Sequence, residues 1–352
     1  VAGLIIGTSR IGGLEQYWYS KNVLAAALLP LSWLFRSVVE VRRRWYGRRN
    51  RAQPRLPVPV IVVGNISVGG TGKTPLVIWL TQRLQTHGYR PGVISRGYGG
   101  AATEWPKLVD GESDPNLVGD EPVVIARRTH CPVAVAPRRN DAARVLLNHY
   151  CCDTLISDDG LQHYGLIRDV EVAVIDGETG LGNGWCLPAG PLREPTSRLR
   201  EIDFVVTHGA LNRPAYYAMT LHGDMAINVC DPGVRRSLLS FAGDRTHAVA
   251  GIGKPARFFS MLESCGLDIE THNFPDHHRF AARDIEFCDK RPVLMTEKDA
   301  VKCRAFAQLH HWYVPVTAVV DERLSRELIA LLRTRAPRAF DINEQWSLGQ
   351  RG

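Results

Sequence analysis

A chain of 352 residues with 45% hydrophobic content is long enough for two cores, which excludes wholesale disorder and predicts two domains of unequal size. Its formal charge of +7 is concentrated: the stretch from Arg36 to Arg55 carries eight arginines against one acid, Glu40, and the remainder is neutral overall. One basic block beside an apolar segment points to an anionic lipid surface, whereas nucleic-acid binding would spread basic charge over a fold.

Residues 1–13, VAGLIIGTSRIGG, lack the charged n-region of a signal peptide and are read as an extension. From Val23 to Phe35 the run VLAAALLPLSWLF is apolar apart from Ser32. As a helix it would be about 20 Å long, short of the roughly 30 Å of bilayer hydrocarbon. Pro30 predicts a kink, Trp18, Trp33 and Trp45 supply interfacial anchors, and the arginines that follow supply lipid-phosphate contacts. The segment is therefore expected to lie in the membrane plane; a hairpin helix buried against the main domain is the alternative.

Beyond Pro57 and Pro59, the apolar run VIVVGN reads as a strand buried on both faces of a parallel sheet, followed by a helix from Thr74 to Thr86. Similar runs recur near residues 92, 132, 154, 171 and 203 with helical segments between them, which is the alternation of a doubly wound α/β domain. Cys151 and Cys152 fall at a helix-to-strand junction and are expected to pack there. The eight cysteines contain no C-x-x-C pair and no spacing to histidine that suggests zinc or a disulfide framework. The Gly- and Pro-rich loop between Thr179 and Arg200 is long enough to be functional. A mixed stretch follows from Asn212 to about Ser240, and a second alternation begins at His247, with a helix from Pro255 to Cys265 and a strand near 291.

The strongest motif is Ser67-Val68-Gly69-Gly70-Thr71-Gly72-Lys73-Thr74, set between a buried strand and a helix as a P-loop requires. Glycines let successive backbone N–H groups face phosphate oxygens, Lys73 reaches the β- and γ-phosphates, and the Thr74 hydroxyl suits Mg²⁺. Ser67 stands where the generic pattern has glycine. Asp158 and Asp159, at the end of the strand TLIS, are placed to serve the metal, and Gln162 or His163 in the turn beyond to orient a nucleophile or phosphate. Thr296-Glu297-Lys298-Asp299 has the wrong order for the guanine-reading [N/T]-K-x-D, so ATP is expected; the segment reads as a strand end before a helix near Ala300.

The runs GNISVGGTGKTP, SRGYGG at 95–100, VGDEP at 118–122, DDGLQHYGL at 158–166, GNGWCLPAGPLRE at 182–194 and MTEKDAVKCRAFA at 295–307 together closely resemble the tetraacyldisaccharide 4'-kinase family of lipid A biosynthesis. The resemblance covers residues from about Leu14 to Val320 and includes Ser67, which is normal for that family. It implies an ATP- and Mg²⁺-dependent kinase at the cytoplasmic face of the bacterial inner membrane, phosphorylating the 4'-hydroxyl of a tetraacyldisaccharide 1-phosphate, with no nucleic acid and no known protein partner. The expected organisation is a P-loop doubly wound, mainly parallel domain over 56–211, a linker over 212–240 and a smaller α/β domain over 241–335, preceded by a membrane-associated helix and basic segment over 14–55.

By motif position, the resemblance implies that Asp120 helps deprotonate the sugar hydroxyl with His277 as its hydrogen-bonded partner. Asp158 and Asp159 carry over as metal and phosphate-site acids, His163 as their neighbour, and Arg193 and Glu194 as charged groups near the nucleotide phosphates and metal. Read from the residues alone, Asp120 could instead cap a helix beginning near Glu121. Gly165 departs from the family, which usually has arginine there; Arg168, or Arg138 and Arg139, are candidates to take over binding of the substrate phosphate. The rival function is a membrane-tethered P-loop switch, which would give Asp120 and His277 no reason to converge.

Overall fold

The computed structural model describes residues 16–52, 54–209 and 215–335; the N-terminal extension and residues 211–214 of the expected boundary lie outside them. Two mixed, mainly parallel sheets organise the chain.

Asn22 caps the first helix, α1 (Val23–Ala27), by accepting a hydrogen bond from the Ala25 N–H, and Pro30 opens the second, α2 (Leu29–Arg51). Proline is tolerated in a first helical turn, where its missing N–H has no partner to lose. The expected kink is thus a break between two helices, and the second runs for 23 residues, straight through the basic block. Its faces differ. Leu31, Leu34, Val38, Val41 and Trp45 recur at helical spacing and are all exposed, whereas Ser32, Arg43 and Asn50 bind Cys186 O, Glu201 and Tyr164 O of the body. Among the described residues no helix is long and apolar enough to cross a membrane.

The larger sheet is seeded by β1 (Val60–Gly64), whose five residues are all buried. After it come α3 (Lys73–Thr86), β2 (Pro91–Ser95), β3 (Lys107–Val109), α4 (Pro115–Val118), α5 (Asp120–Thr129), β4 (Val133–Val135), α6 (Arg139–His149), β5 (Thr154–Ser157), β6 (Val170–Asp176), β7 (Phe204–His208) and β8 (Tyr217–His222). With a late strand, β15 (Thr317–Val320), the order is β15-β8-β7-β6-β1-β5-β2-β4-β3, parallel except at its two edges, where β3 and β15 run antiparallel to their neighbours. Buried aliphatic residues on both faces build two cores, one beneath α3 and α5 and one beneath α6. At the junction before β5, Cys152 is buried but Cys151 is exposed.

The smaller sheet uses β9 (Met225–Asn228), β10 (Arg235–Ser237), β11 (Thr246–Ala250), α7 (Pro255–Ser264), β12 (Ile269–Asn273), β13 (Val293–Thr296), α8 (Glu297–Cys303) and β14 (His311–Val314), in the order β10-β9-β14-β13-β11-β12. The chain then returns to the larger sheet as β15 (Thr317–Val320) and α9 (Glu322–Arg335), whose Leu324, Leu328 and Leu332 join the larger core. Sheet membership therefore departs from the boundaries read in the sequence. The supposed linker contains three strands, and residues 317–335 complete the larger sheet. Those strands are short and partly exposed, as at Tyr217–His222 where only Met219 is buried, so they lack the apolar runs that mark central strands.

Candidate active site

In a parallel sheet, loops at the C-terminal ends of the strands form the binding crevice, and β1, β5 and β6 here all end toward the same place. Gly64 closes β1 directly against Leu161; a Cβ on it would lie 2.7 Å from Leu161 Cγ, so the P-loop and the DDGLQH turn are packed together. Gly72 starts α3 in left-handed backbone at φ +88°, a conformation that glycine adopts without steric cost. Lys73 follows as the first helical residue and its Nζ lies 3.5 Å from Asp159 Oδ1, while Arg193 reaches Asp159 Oδ2 at 3.5 Å. Burial pushes the Asp159 carboxyl up, but Lys73, Arg193 and Arg139 outweigh it and leave its pKa below the ordinary value.

Asp158 is different. It is buried, and neither side-chain oxygen has a hydrogen-bond partner. Desolvation, with Glu121 and Asp159 nearby, raises its pKa to about 7. The Thr71 hydroxyl and Ser157 hydroxyl are likewise buried without partners. Buried polar atoms are nearly always paired, so this group of unspent oxygens marks a place for something else to bind. Its donors are hydroxyl and carboxylate oxygens, the set that Mg²⁺ prefers.

Around these atoms the loop from Thr179 to Arg200 supplies a fixed frame. Gln162 donates to Glu194 Oε1 at 2.8 Å and to Asn65 O at 3.0 Å, and Arg193 donates to Asn65 Oδ1 at 3.4 Å. Glu194 is fully buried, its second oxygen facing Arg198 at 3.3 Å. His163 is half-buried among arginines; burial first, then Arg139 and Arg168, lower its pKa to about 4. Arg139 is buried beneath the turn and donates to the Asp158 and Asp159 carbonyls, whereas Arg138 is exposed. Arg168 is spent on Leu161 O, Leu166 O, His163 O and Glu171. With four of its five N–H groups committed inside the fold, it holds this turn together and is poorly placed to replace an arginine at 165.

The second half of the cleft joins the two sheets. Asp120 is the first residue of α5, with Gly119 in the cap position, so it is not the helix cap; its Oδ1 accepts from the Glu121 N–H. Its Oδ2 lies 3.2 Å from His277 Nδ1, a contact across 157 residues that brings the predicted pair together. His277, in the loop after β12, has left-handed backbone at φ +57°, and Asp159 has φ +45°. Such non-glycine residues are uncommon and concentrate at sites of function. The Asp120 hydrogen bond raises the His277 imidazole above its ordinary pKa. Burial pushes the Asp120 carboxyl up, but Lys298, His277 and Lys302 hold it well below the usual range.

Two lysines at this junction went unread in the sequence. Thr296 caps α8 by accepting from the Asp299 N–H, so the helix starts at Glu297, three residues before the expected Ala300. That start turns Lys298 and Lys302 toward α5: Lys298 Nζ is 3.1 Å from Glu121 and 3.9 Å from Asp120 Oδ1, and Lys302 Nζ is 3.5 Å from Asp120 Oδ2 and 2.8 Å from Asp299. Their i, i+4 spacing on a helix opening with TEKDAVK was the available signal. A second bridge between the sheets joins Lys254, just before α7, to Asp176 at the end of β6 at 2.5 Å, with Arg257 on the same carboxylate at 2.7 Å.

A P-loop, an acid with unspent oxygens at the neighbouring strand end, and a hydrogen-bonded Asp–His pair across the cleft define a P-loop phosphotransferase with a place for an acceptor group. The model of the tetraacyldisaccharide-1-P 4'-kinase family matches residues 24–333. The tetraacyldisaccharide 4'-kinase of Nitrosococcus oceani is 50% identical over 327 residues, which cover 93% of this chain and 96% of that one. The Pasteurella multocida protein of the same description is 49% identical over 318 residues, covering 90% and 97%. The crystal structure of LpxK from Aquifex aeolicus in complex with ATP superposes with a TM-score of 0.74 at 25% identity, over 88% of this chain and all of that one. The chain belongs to the tetraacyldisaccharide 4'-kinase family, and its activity is that kinase step of lipid A biosynthesis.

Proposed function

We propose that this chain transfers the γ-phosphoryl group of ATP to the 4'-hydroxyl of a tetraacyldisaccharide 1-phosphate, with nucleotide and acceptor entering from opposite sides of the cleft. The observation that carries the division of labour is the pairing of Asp120 with His277 across the two sheets, at 3.2 Å. Residues 67–74 cradle the phosphates, with Lys73 on the transferred end. Thr74 and Asp158 would hold Mg²⁺, with Glu194, fixed by Gln162 and Arg198, as the second acid of the set. Mg²⁺ supplies charge neutralisation at the phosphate oxygens. Asp159 orients Lys73 and Arg193, and Arg193 shares the developing charge. The proton of the 4'-hydroxyl passes to the Asp120–His277 pair, which titrates as a unit. His163, kept neutral by its surroundings, supports the turn that carries Asp158 and Asp159.

The exposed face of α2 suits a lipid substrate. Its apolar row of Leu31, Leu34, Val38, Val41 and Trp45 would dip into the interface while neighbouring arginines meet anionic headgroups, which supports a peripheral position on the cytoplasmic face of the inner membrane.

The decisive measurement is transfer from γ-labelled ATP to the purified lipid acceptor in mixed micelles, by wild type, Lys73→Ala and Asp120→Ala. Labelling lost in both variants fits the two-part site; full labelling by either would overturn its role. For the membrane reading, sedimentation with anionic liposomes should fall in Leu34→Glu/Val38→Glu, and unchanged sedimentation would sink it.

A further inference from the structure

At the far end of the smaller sheet lies a cluster that the kinase reaction does not use. His247, the second residue of β11, pairs in register with Glu270 on β12, and His272 follows two residues later on the same face of that strand. The reacting cleft is formed beyond the C-terminal ends of these strands, where His277 lies, whereas this cluster lies within the strand pair itself, with His247 and Glu270 each second in their strands and His272 fourth in β12. One ligand atom from each of His247, Glu270 and His272 falls within 4.8 Å of the other two.

We propose that these three side chains form a binding site for a zinc-class divalent ion, with His247 Nδ1, His272 Nε2 and one Glu270 oxygen as ligands and water completing a tetrahedron. The spacing is right: His247 Nδ1 and His272 Nε2 are 2.9 Å apart, and two nitrogens at about 2.05 Å from one tetrahedral ion stand roughly 3.3 Å apart. The support is also that of a metal site. His247 Nε2 meets Asp289 at 3.1 Å, so donation of its N–H to that carboxylate leaves Nδ1 as the lone-pair nitrogen. Phe287 stacks on both imidazoles, with ring centroids at 3.9 and 4.3 Å, and fixes their planes. Arg291 and Arg245 both approach Glu270 through Oε2, at 2.9 and 3.7 Å, which leaves Oε1 for the ion. His247 is buried while Glu270 and His272 are partly exposed, so an ion enters from the β12 side. Binding there would clip the edge strand β12 to β11 and to the segment carrying Phe287 and Asp289.

Without an ion, the same atoms form a hydrogen-bonded chain from Asp289 through His247 to His272, and the test separates the two. Full-length protein is titrated with Co²⁺ in excess Mg²⁺, and visible absorption and thermal stability are followed. The site predicts one Co²⁺ per chain with the intense absorption of tetrahedral coordination, displaceable by Zn²⁺. The carboxylate and hydroxyl site of the P-loop gives only the weak colour of octahedral oxygen coordination. His272→Ala should abolish the signal, and Asp289→Asn, which removes only the support of His247, should weaken affinity about 10–100-fold. No tetrahedral signal in wild type, or a signal that survives His272→Ala or is unmoved by Asp289→Asn, overturns the site.

Discussion

The two halves of the cleft are built on different principles. The nucleotide half is local: residues 65–74 and 158–163 leave adjacent parallel strands and pack against each other through Gly64 and Leu161. The acceptor half is assembled at a distance, from α5 on the larger sheet and α8 and the His277 loop on the smaller one, and is held by a cluster of opposite charges. The first half is preformed by backbone geometry. The second exists only while the two sheets are docked, so chemistry and docking share the same residues.

The largest expected effect lies in the local half. Lys73→Met should lower phosphoryl transfer by about 10³-fold, since loss of a preorganised cation at the developing charge removes stabilisation specific to the transition state. Thermal stability should hardly change, because among the described residues the one ion pair of Lys73 is with Asp159, at 3.5 Å. A large fall in Tm would show that the P-loop also supports the fold and would erase the contrast.

In the distant half, Asp120→Asn should lower the rate by about 10²–10⁴-fold, the range of general-base assistance. It should also weaken docking, leaving Lys298 and Lys302 facing a neutral side chain. The sign of its pH dependence follows from the pair. His277 is raised by Asp120, so its contribution to stability is complete below the ordinary imidazole pKa and is lost as pH rises through the folded value. Asp120 is lowered, so its contribution is present above the ordinary carboxyl pKa and is lost as pH falls through the folded value. In the variant the His277 pKa should drop, read by NMR titration of the imidazole; an unmoved pKa would break the pair.

How legible each half was follows from the same contrast. A P-loop is contiguous, and its strand–loop–helix setting and the acids at the end of β5 can be read from the residues in order. The partnership of Asp120 and His277 spans 157 residues, and only the family resemblance carried it. Lys298 and Lys302 are harder to read, because no local pattern says which distant carboxylate a helix face will meet. Edge strands such as Arg235–Ser237, fully exposed, carry no apolar signature, which is why a stretch read as linker proved to be sheet.

Asp158→Asn should separate stability from function in the local half. An acid whose pKa is raised to about 7 by burial binds its proton more tightly in the folded than in the unfolded state, so the native protein loses stability as pH climbs from the ordinary carboxyl range through that value. With no ion or nucleotide added, the amide should therefore raise stability at pH values above about 7, by an amount on the order of 1–3 kcal/mol. The gain should shrink as pH falls. Differential scanning calorimetry across pH reads it directly, and the same variant should lose Mg²⁺-dependent transfer. A variant less stable at every pH would mean that the ionised carboxylate has a partner in the fold.

The smallest effect concerns the helix that neither half contains. A Cβ at Gly165 would stand 3.2 Å from Cε1 of Tyr46 on α2, and Tyr46 in turn lies against Tyr164 with ring centroids 6.4 Å apart. The glycine at 165 thus lets α2 sit close to the DDGLQHYGL turn, and Asn50 donating to the Tyr164 carbonyl at 2.7 Å fastens it. Gly165→Arg forces the Tyr46 ring to give, a crowding that costs about 1 kcal/mol or somewhat more when neighbours cannot relax. Removing the ring should return that loss, so Tyr46→Ala/Gly165→Arg is expected to be more stable than the sum of its single variants predicts. If the double variant is simply additive, the glycine is not there for the helix, and the contact between α2 and the turn does not explain its presence.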